Sequence, residues 1–259
     1  MIKHGVYKVF LLCGFLLLCP SLFANTSLNT FTESLPKQNE VFLSHDAVVH
    51  LGKELNYFED KDNAFSLESI LELNDSSWAQ SSVLIPNFGY TDSSYWFRLK
   101  LSTHNVSVNK ILAIQYALLD YIELFVLENG ELKQTFLTGD TFPFSQRPIR
   151  HRDFLFPLQV EANQSLDIYI KVRTQGSLQV PIEIWEADDF IWQDQDELLI
   201  KAIYYGMLIV LVVYNLFLFL SIRERSYLYY GGLVVSVLGL MSGAYGFLYQ
   251  YLYPTSPYI

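Results

Sequence analysis

The sequence predicts a mainly β fold, in which a jelly-roll-like antiparallel β-sandwich ectodomain at residues 41–186 precedes two transmembrane α-helices of a truncated helical bundle. Short segments that alternate apolar and polar residues, with Gly, Asn, Asp and Ser between them, predict the sandwich. Two apolar runs after residue 200 predict the helices, because each is long enough to cross a bilayer core of about 30 Å.

The first residues are typical of a secretory signal peptide, which we place at 1–24. A basic start is followed by the apolar stretch VFLLCGFLLLC and then by the small residue Ala24. Cys13 and Cys19 both lie in this segment, so its cleavage leaves a chain without disulfides or thiolate metal ligands. The polar residues 25–40 predict a flexible leader.

The clearest predicted strand is LDIYIKVRT, in which apolar and polar side chains alternate from Leu166 onward. Asn129 and Gly130 readily take the positive φ angles of a tight turn, which predicts a hairpin between the two apolar runs that flank them. The stretches SYWFRLKL, KILAIQYAL, DFLFPLQV and LQVPIEIW predict further strands. One helix is predicted, at Ser66–Leu73, with Ser66 as its N-cap.

The residues after the sandwich predict a helical path through the membrane. Arg223 and Arg225 follow the first apolar run, and an excess of positive residues marks the cytoplasmic side, so the sandwich is expected outside. The predicted order is an acidic helical connector at 187–202, a first transmembrane helix at 203–222, a cytoplasmic loop at 223–227, a second transmembrane helix at 228–249 and a truncated extracytoplasmic loop at 250–259.

Small residues recur along one face of the second span, at steps of three and four, and predict close packing of helices in lipid. They are Gly232, Ser236, Gly239, Gly243 and Gly246. The alternative is that glycine is simply common in membrane helices.

Asn215 lies inside the first span, where an amide facing lipid would be unpaired, so it is expected to face another helix. Two helices offer little interior, which implies missing spans or a homodimer.

Six stretches follow one another along the chain: LGKELNYFED, SSYWFRLKL, LLDYIELFVLENG, TGDTFPFSQRPIRHRDFLFPL, GSLQVPIEIW and YYGMLIVLVVYNLFLFLSIRERSYLYY. In this order they resemble a bacterial family of seven-transmembrane receptors with diverse intracellular signalling modules, 7TMR-DISM. The resemblance implies a type 2 extracellular domain in the periplasm and the first two of seven helices in the inner membrane. It also implies a carbohydrate-like or other small ligand and a cytoplasmic output module that is absent here, so the chain is expected to be a fragment.

Trp96 and Arg98 form a first candidate ligand site. Strand alternation in YWFRLKL puts both on the face opposite the core, where they would stack on a sugar ring and hydrogen-bond its hydroxyls. The alternative is that Arg98 neutralises neighbouring carboxylates while Trp96 seals the edge of the sandwich.

The stretch SQRPIRHRDF concentrates positive charge in an otherwise acidic domain and forms a second candidate site. Its basic residues are Arg147, Arg150, His151 and Arg152. Guanidinium groups match carboxylates and phosphates in shape and charge, so anion recognition is one interpretation. The alternative is that these arginines pair with Asp140 and Asp153.

The net charge of -10 argues against nucleic acid as a partner, because an acidic surface repels phosphate backbones. The sequence has no metal-ligand spacing, phosphate loop or nucleophile elbow, so no metal, cofactor or catalysis is expected in this chain.

The leading interpretation is a receptor in the lipid bilayer whose sandwich senses a small ligand, a carbohydrate or a carboxylate. A periplasmic protein-docking module and the N-terminal part of a diguanylate cyclase or histidine kinase are the alternatives.

Overall fold

A computed structural model of the chain describes residues 39–255. The predicted signal peptide at 1–24, the leader up to residue 38 and the final residues 256–259 lie outside this range. The strands are β1 Glu40–Leu43, β2 Val48–His50, β3 Asn56–Asp60, β4 Ala79–Gln80, β5 Asn87–Tyr90, β6 Ser94–Thr103, β7 Val108–Ile114, β8 Tyr121–Glu128, β9 Glu131–Thr138, β10 Phe154–Val160, β11 Ser165–Arg173, β12 Ser177–Gln179 and β13 Ile182–Glu186. The α-helices are α1 Leu67–Leu71, α2 Ala187–Ile222, α3 Arg225–Ala244 and α4 Phe247–Tyr251.

Two mainly antiparallel sheets enclose the core, and with the two long apolar helices they confirm the predicted fold class. The larger sheet has the strand order β4-β3-β6-β11-β8-β9, and β1 pairs in parallel with the second half of β6. The smaller sheet has the order β10-β7-β13-β2, and β12 pairs with β5 separately. One apolar cluster joins both sheets, with Phe97 and Ile168 from the larger and Leu112 and Phe156 from the smaller.

Local sequence signals account for much of this arrangement. Alternate side chains of β6 from Tyr95 to Leu101 are buried in the central cluster, as period-two alternation requires. Asn129 and Gly130 take φ angles of 51° and 82° between β8 and β9, so the predicted hairpin is confirmed. Ser66 caps α1 with its side chain, as predicted.

A second apolar layer lies on the outer face of the larger sheet. Residues 61–80, which include α1, fold over this face and bring Ile70 and Trp78 into one cluster with Trp96 and Tyr169. The outer face of β6 is therefore covered by the chain itself. Strand alternation alone does not reveal such a cover, because it separates two faces without showing what packs on each.

No linker separates the sandwich from the first membrane helix, since β13 ends at Glu186 and α2 begins at Ala187. The predicted connector at 187–202 and the predicted span at 203–222 form one helix of 36 residues. At 1.5 Å per residue this helix is roughly 54 Å long, well beyond a hydrocarbon core of about 30 Å. Its first turns lie beside the sandwich, where Phe190 packs on the smaller sheet.

The second membrane helix is shorter than predicted at its far end. Arg223 ends α2 with a φ of 59° and α3 begins at Arg225, so the turn is tighter than the predicted loop at 223–227. Helix α3 ends at Ala244 rather than at residue 249, and α4 follows after a turn at Gly246. Both α2 and α3 are long and apolar enough to cross a membrane, and most of their apolar surface is exposed.

Candidate functional site: the joint between sandwich and membrane helices

An arginine-rich loop connects the sandwich to the membrane helices. We call residues 139–153, between β9 and β10, the basic loop. It contacts the first turns of α2 on one side and the segment 246–254, which contains α4, on the other. We call the basic loop, residues 187–201 of α2 and the segment 246–254 together the joint.

The start of α2 is seated on the outer face of the smaller sheet. Phe190 is buried there with Ala113, Leu155 and Trp185, which belong to three neighbouring strands. The rings of Phe190 and Trp185 meet edge to face with their centroids 5.9 Å apart, a favourable aromatic geometry. The first turn of the helix is thus held to the sandwich by apolar packing.

Ion pairs join the basic loop to the next turns of α2. Arg152 is 3% exposed and lies 2.6 Å from Asp194 and 2.9 Å from Glu197. Nδ1 of His151 accepts the N–H of Asp153 over 3.0 Å, and its Nε2 lies 3.1 Å from a carboxylate oxygen of Asp194. Residues three apart share one face of a helix, so these contacts fix the rotation of α2 relative to the loop.

Arg147 lies at the centre of the basic loop. Its buried guanidinium donates from Nη1 to the carbonyls of His151 and Arg152, over 2.8 and 2.6 Å. The same group lies over the rings of Phe154, at 4.2 Å, and Tyr249, at 5.4 Å. Burial lowers the pKa of Arg147 to about 10, which keeps the group charged at neutral pH. The Arg147 side chain therefore stabilises the conformation of the loop and also contacts α4.

Hydrogen bonds to backbone carbonyls hold the segment 246–254 against the same loop. The Tyr249 hydroxyl donates to the carbonyl of Phe142, and the N–H of Phe144 donates to the carbonyl of Pro254 over 2.9 Å. Gly246 has a φ of 74°, and a Cβ added to it would lie 2.9 Å from a side-chain atom of the sandwich. The turn after α3 therefore packs directly on the extracellular domain.

A polar cleft of about 450 Å³ opens beside the start of the basic loop. Asp120, Thr141, Lys171 and Arg173 are among the residues that line it. Burial together with the nearby Asp120 charge raises the pKa of Asp140 to about 7. The cleft thus borders the loop that holds the helices.

Two family models match this chain. Residues 52–186, more than half of the chain, match the model described as 7TMR-DISM extracellular 2, and residues 197–259 match the model described as 7TM diverse intracellular signalling. The chain belongs to the 7TMR-DISM family. It is a membrane receptor with an extracellular domain, and the sequence resemblance is confirmed in both its parts.

The 7TMR-DISM chain also resembles solved structures at low identity. A family 35 carbohydrate binding module from Clostridium thermocellum is 9% identical over 55% of this chain and 100% of its own, with a TM-score of 0.27. A β-glucosidase from Paenibacillus barengoltzii is 14% identical over 62% of this chain and 12% of its own, with a TM-score of 0.25. CsCBM6-3 from Clostridium stercorarium, in complex with cellobiose, is 10% identical over 58% and 98%, with a TM-score of 0.21. No curated protein matches the chain.

The joint lies where the two matched domains of the 7TMR-DISM chain meet. The extracellular match ends at residue 186 and the membrane match begins at residue 197. The residues between them are turns of α2 that carry Phe190 and Asp194, both of which contact the sandwich. Their contacts therefore couple the two domains.

The structure corrects the predicted sugar site at Trp96 and Arg98. Trp96 is 1% exposed, and its ring stacks on Phe125 at a centroid distance of 5.9 Å, so the Trp96 ring is not open to a ligand. Arg98 is 5% exposed and forms an ion pair of 2.8 Å with Asp75. The cause is the cover formed by residues 61–80, and the alternative in which Arg98 neutralises a carboxylate describes the geometry.

The basic residues of SQRPIRHRDF do not form an anion site on the surface. Arg147 and Arg152 are buried in the joint and only Arg150 of the arginines is exposed. The alternative interpretation pairs these arginines with Asp140 and Asp153; Arg152 lies 3.8 Å from Asp153, and its shorter ion pairs reach Asp194 and Glu197. The acidic residues at the start of α2 are the sequence signal for these ion pairs, but only the tertiary fold brings them to the loop.

The small residues of α3 do not form one continuous interface. An added Cβ would meet no atom within 4 Å at Gly232 or Gly239, and the Ser236 hydroxyl donates within its own helix. Gly243 lies beside Leu248 of α4. Gly246 lies beyond the end of α3, in the turn that packs on the sandwich, so its place in the predicted helix face is wrong.

Asn215 is buried between the two membrane helices. Its Cβ lies 3.7 Å from the position that a Cβ on Gly231 of α3 would take. Its amide donates to the carbonyl of Leu211 over 2.8 Å, which is a hydrogen bond within α2. Glycine offers no polar side chain across the interface, so the amide N–H donates within its own helix.

We expect Gly246→Ala to loosen the joint, whereas Gly232→Ala leaves it intact. At Gly246 a side chain is strained by the positive φ, at a cost of about 1 to 2 kcal/mol, and it would press on Ala117. At Gly232 the helix is regular and no atom is near. Hydrogen exchange of residues 247–252 in lipid nanodiscs should accelerate in the first variant only. Equal exchange in both variants would contradict the packing at Gly246.

Proposed function

We propose that this chain is the sensing and first membrane-spanning part of a bacterial signal-transduction receptor in the inner membrane. The periplasmic sandwich binds a small ligand, a carbohydrate or a molecule with a carboxylate group. The joint passes the resulting change to α2 and α4, and from there to further helices and a cytoplasmic output module. The proposal gives residues 39–255 no catalytic role.

The joint is the observation that carries this proposal. One loop of the sandwich contacts α2 through Arg152 and α4 through Arg147, so displacement of the loop acts on both. Transmission requires an element with two arrangements that ligand binding favours unequally. Ion pairs and single hydrogen bonds suit that role, because they can be exchanged without exposing a large apolar interface.

The test uses the full chain in lipid nanodiscs, with amino acids, dicarboxylates, monosaccharides and disaccharides as probes. We expect one class to raise the melting temperature and to change hydrogen exchange at residues 190–201 and 247–252. Arg152→Gln should keep the rise in melting temperature and lose the change in exchange. Arg150→Gln, the same substitution at an exposed position of the loop, should keep both.

Two results would overturn different parts of the proposal. If no compound raises the melting temperature, small-ligand sensing by the sandwich is wrong. If a compound raises it without altering exchange in either helix segment, the joint does not carry the signal.

A further inference from the structure

The polar cleft holds charges of both signs that do not neutralise one another. Asp120, Lys171 and Arg173 line it, yet within residues 39–255 no ion pair joins any of them to another charged side chain. Asp120 accepts the N–H of Gln175 over 2.7 Å, and Lys171 donates to the carbonyl of Phe65 over 3.0 Å. An anionic and a cationic group are therefore both available to a ligand.

Strand register brings these groups to one place. Arg173 of β11 pairs with Tyr121 of β8, and Asp120 directly precedes Tyr121. Lys171 lies two residues before Arg173 and so shares its face of the strand. Directly opposed residues of antiparallel strands have Cβ atoms about 5 Å apart. Asp120, Lys171 and Arg173 all line the cleft of about 450 Å³, which is large enough for a small molecule.

The charges of the cleft select among small ligands. A neutral sugar would leave both charges without a counter-charge, and a dicarboxylate would meet Asp120 with like charge. A ligand with an ammonium group next to a carboxylate satisfies both, since a guanidinium binds a carboxylate through two parallel hydrogen bonds. The volume of about 450 Å³ lies within the usual range of small-molecule pockets.

We infer that the cleft binds a zwitterionic α-amino acid, with its carboxylate at Arg173 and Lys171 and its ammonium group at Asp120. This inference rests on the proposed sensing function and assigns its ligand class and its site.

The cleft is also joined to the loop that holds the membrane helices. The Thr141 hydroxyl donates to the carbonyl of Asp120 over 2.6 Å, and the next residue, Phe142, accepts from the Tyr249 hydroxyl of α4. Asp140, beside Asp120, has its pKa raised to about 7 by burial and by the Asp120 charge. An ammonium group at Asp120 would favour the charged form of Asp140 as well, so binding acts on the start of the basic loop.

Isothermal titration of the full chain in lipid nanodiscs tests the inference with the twenty L-amino acids one at a time. Succinate, ethylamine, glucose and cellobiose serve as probes that lack one or both charged groups. We expect at least one amino acid to bind and none of the four controls to bind. Arg173→Gln and Asp120→Asn should each weaken that binding at least tenfold, while Arg150→Gln leaves it unchanged.

Each other outcome overturns the inference in a distinguishable way. Binding of an amino acid that both cleft variants retain would place the site elsewhere in the sandwich. Binding of glucose, cellobiose or succinate alone would overturn the ligand class and leave the proposed sensing function standing. Binding of none of these compounds would overturn the inference and the proposed sensing of small ligands together.

Discussion

Replacing Arg147 by alanine is expected to lower the free energy of unfolding of the extracellular domain by about 3 to 5 kcal/mol, because a large buried side chain is removed and two backbone acceptors are left unpaired. The substitution leaves the carbonyls of His151 and Arg152 without their donor and opens a cavity beside Phe154. The loop then loses the group that fixes its shape.

Thermal unfolding of the full chain, followed by tryptophan fluorescence, measures this effect. A loss of that size should lower the melting temperature of a domain of this length by roughly 10 °C, at about 2 to 4 °C per kcal/mol. Arg150→Ala is the matched control, because Arg150 is exposed and surface changes usually stay within about 0.5 kcal/mol. A similar melting temperature for the two variants would show that the Arg147 contacts are not stabilising.

Arg147→Lys separates charge from shape at the same position. A lysine keeps the positive charge but lacks the planar group that covers the rings of Phe154 and Tyr249 while donating to backbone carbonyls. We expect an intermediate melting temperature, together with faster hydrogen exchange in α4. A variant as stable as the original chain would show that charge alone is sufficient.

The sequence predicts those parts of the fold that local patterns determine. Period-two alternation identifies β6 and β11, and Asn129 with Gly130 determines the β8–β9 hairpin because few other residues accept positive φ angles. The length of the apolar runs identifies both membrane helices. Each of these signals is contained in a short stretch of the chain.

The parts that the sequence did not predict depend on contacts between distant segments. Alternation puts Trp96 opposite the core and so predicts an exposed side chain, but residues 61–80 cover it. The two shortest ion pairs of Arg152 reach Asp194 and Glu197, more than forty residues further along the chain. No local pattern contains these pairings, although the local reversal of charge did single out the loop that forms them.

The end of α3 is a different case, because a local signal was present and was outweighed by another. Small residues at steps of three and four predict one helix face up to Gly246. Glycine just after a helix is also a common stop signal, since it readily takes the left-handed conformation that Gly246 shows. In the structure that glycine ends the helix and brings α4 to the sandwich.

Gly139→Ala is expected to disrupt the link between the polar cleft and the basic loop. A Cβ at Gly139 would lie 1.9 Å from the backbone carbonyl oxygen of Asp120, a contact that a side-chain rotation cannot relieve. The backbone of β9 or the start of β8 must move, and overpacking of this kind costs about 1 to 3 kcal/mol or more. Asp140 and Asp120 would then be forced apart.

Gly130→Ala is the matched control for this substitution. Gly130 has a φ of 82° in the hairpin turn and no atom within 4 Å of an added Cβ, so only backbone strain of about 1 to 2 kcal/mol is expected. Urea unfolding should therefore show a larger loss for Gly139→Ala. Hydrogen exchange should also rise at residues 247–252 in that variant alone, because the displaced stretch leads directly to Phe142, the acceptor of the Tyr249 hydroxyl. If α4 exchanges equally in both variants, the close approach of Gly139 to Asp120 supports the sandwich without connecting its cleft to the membrane helices.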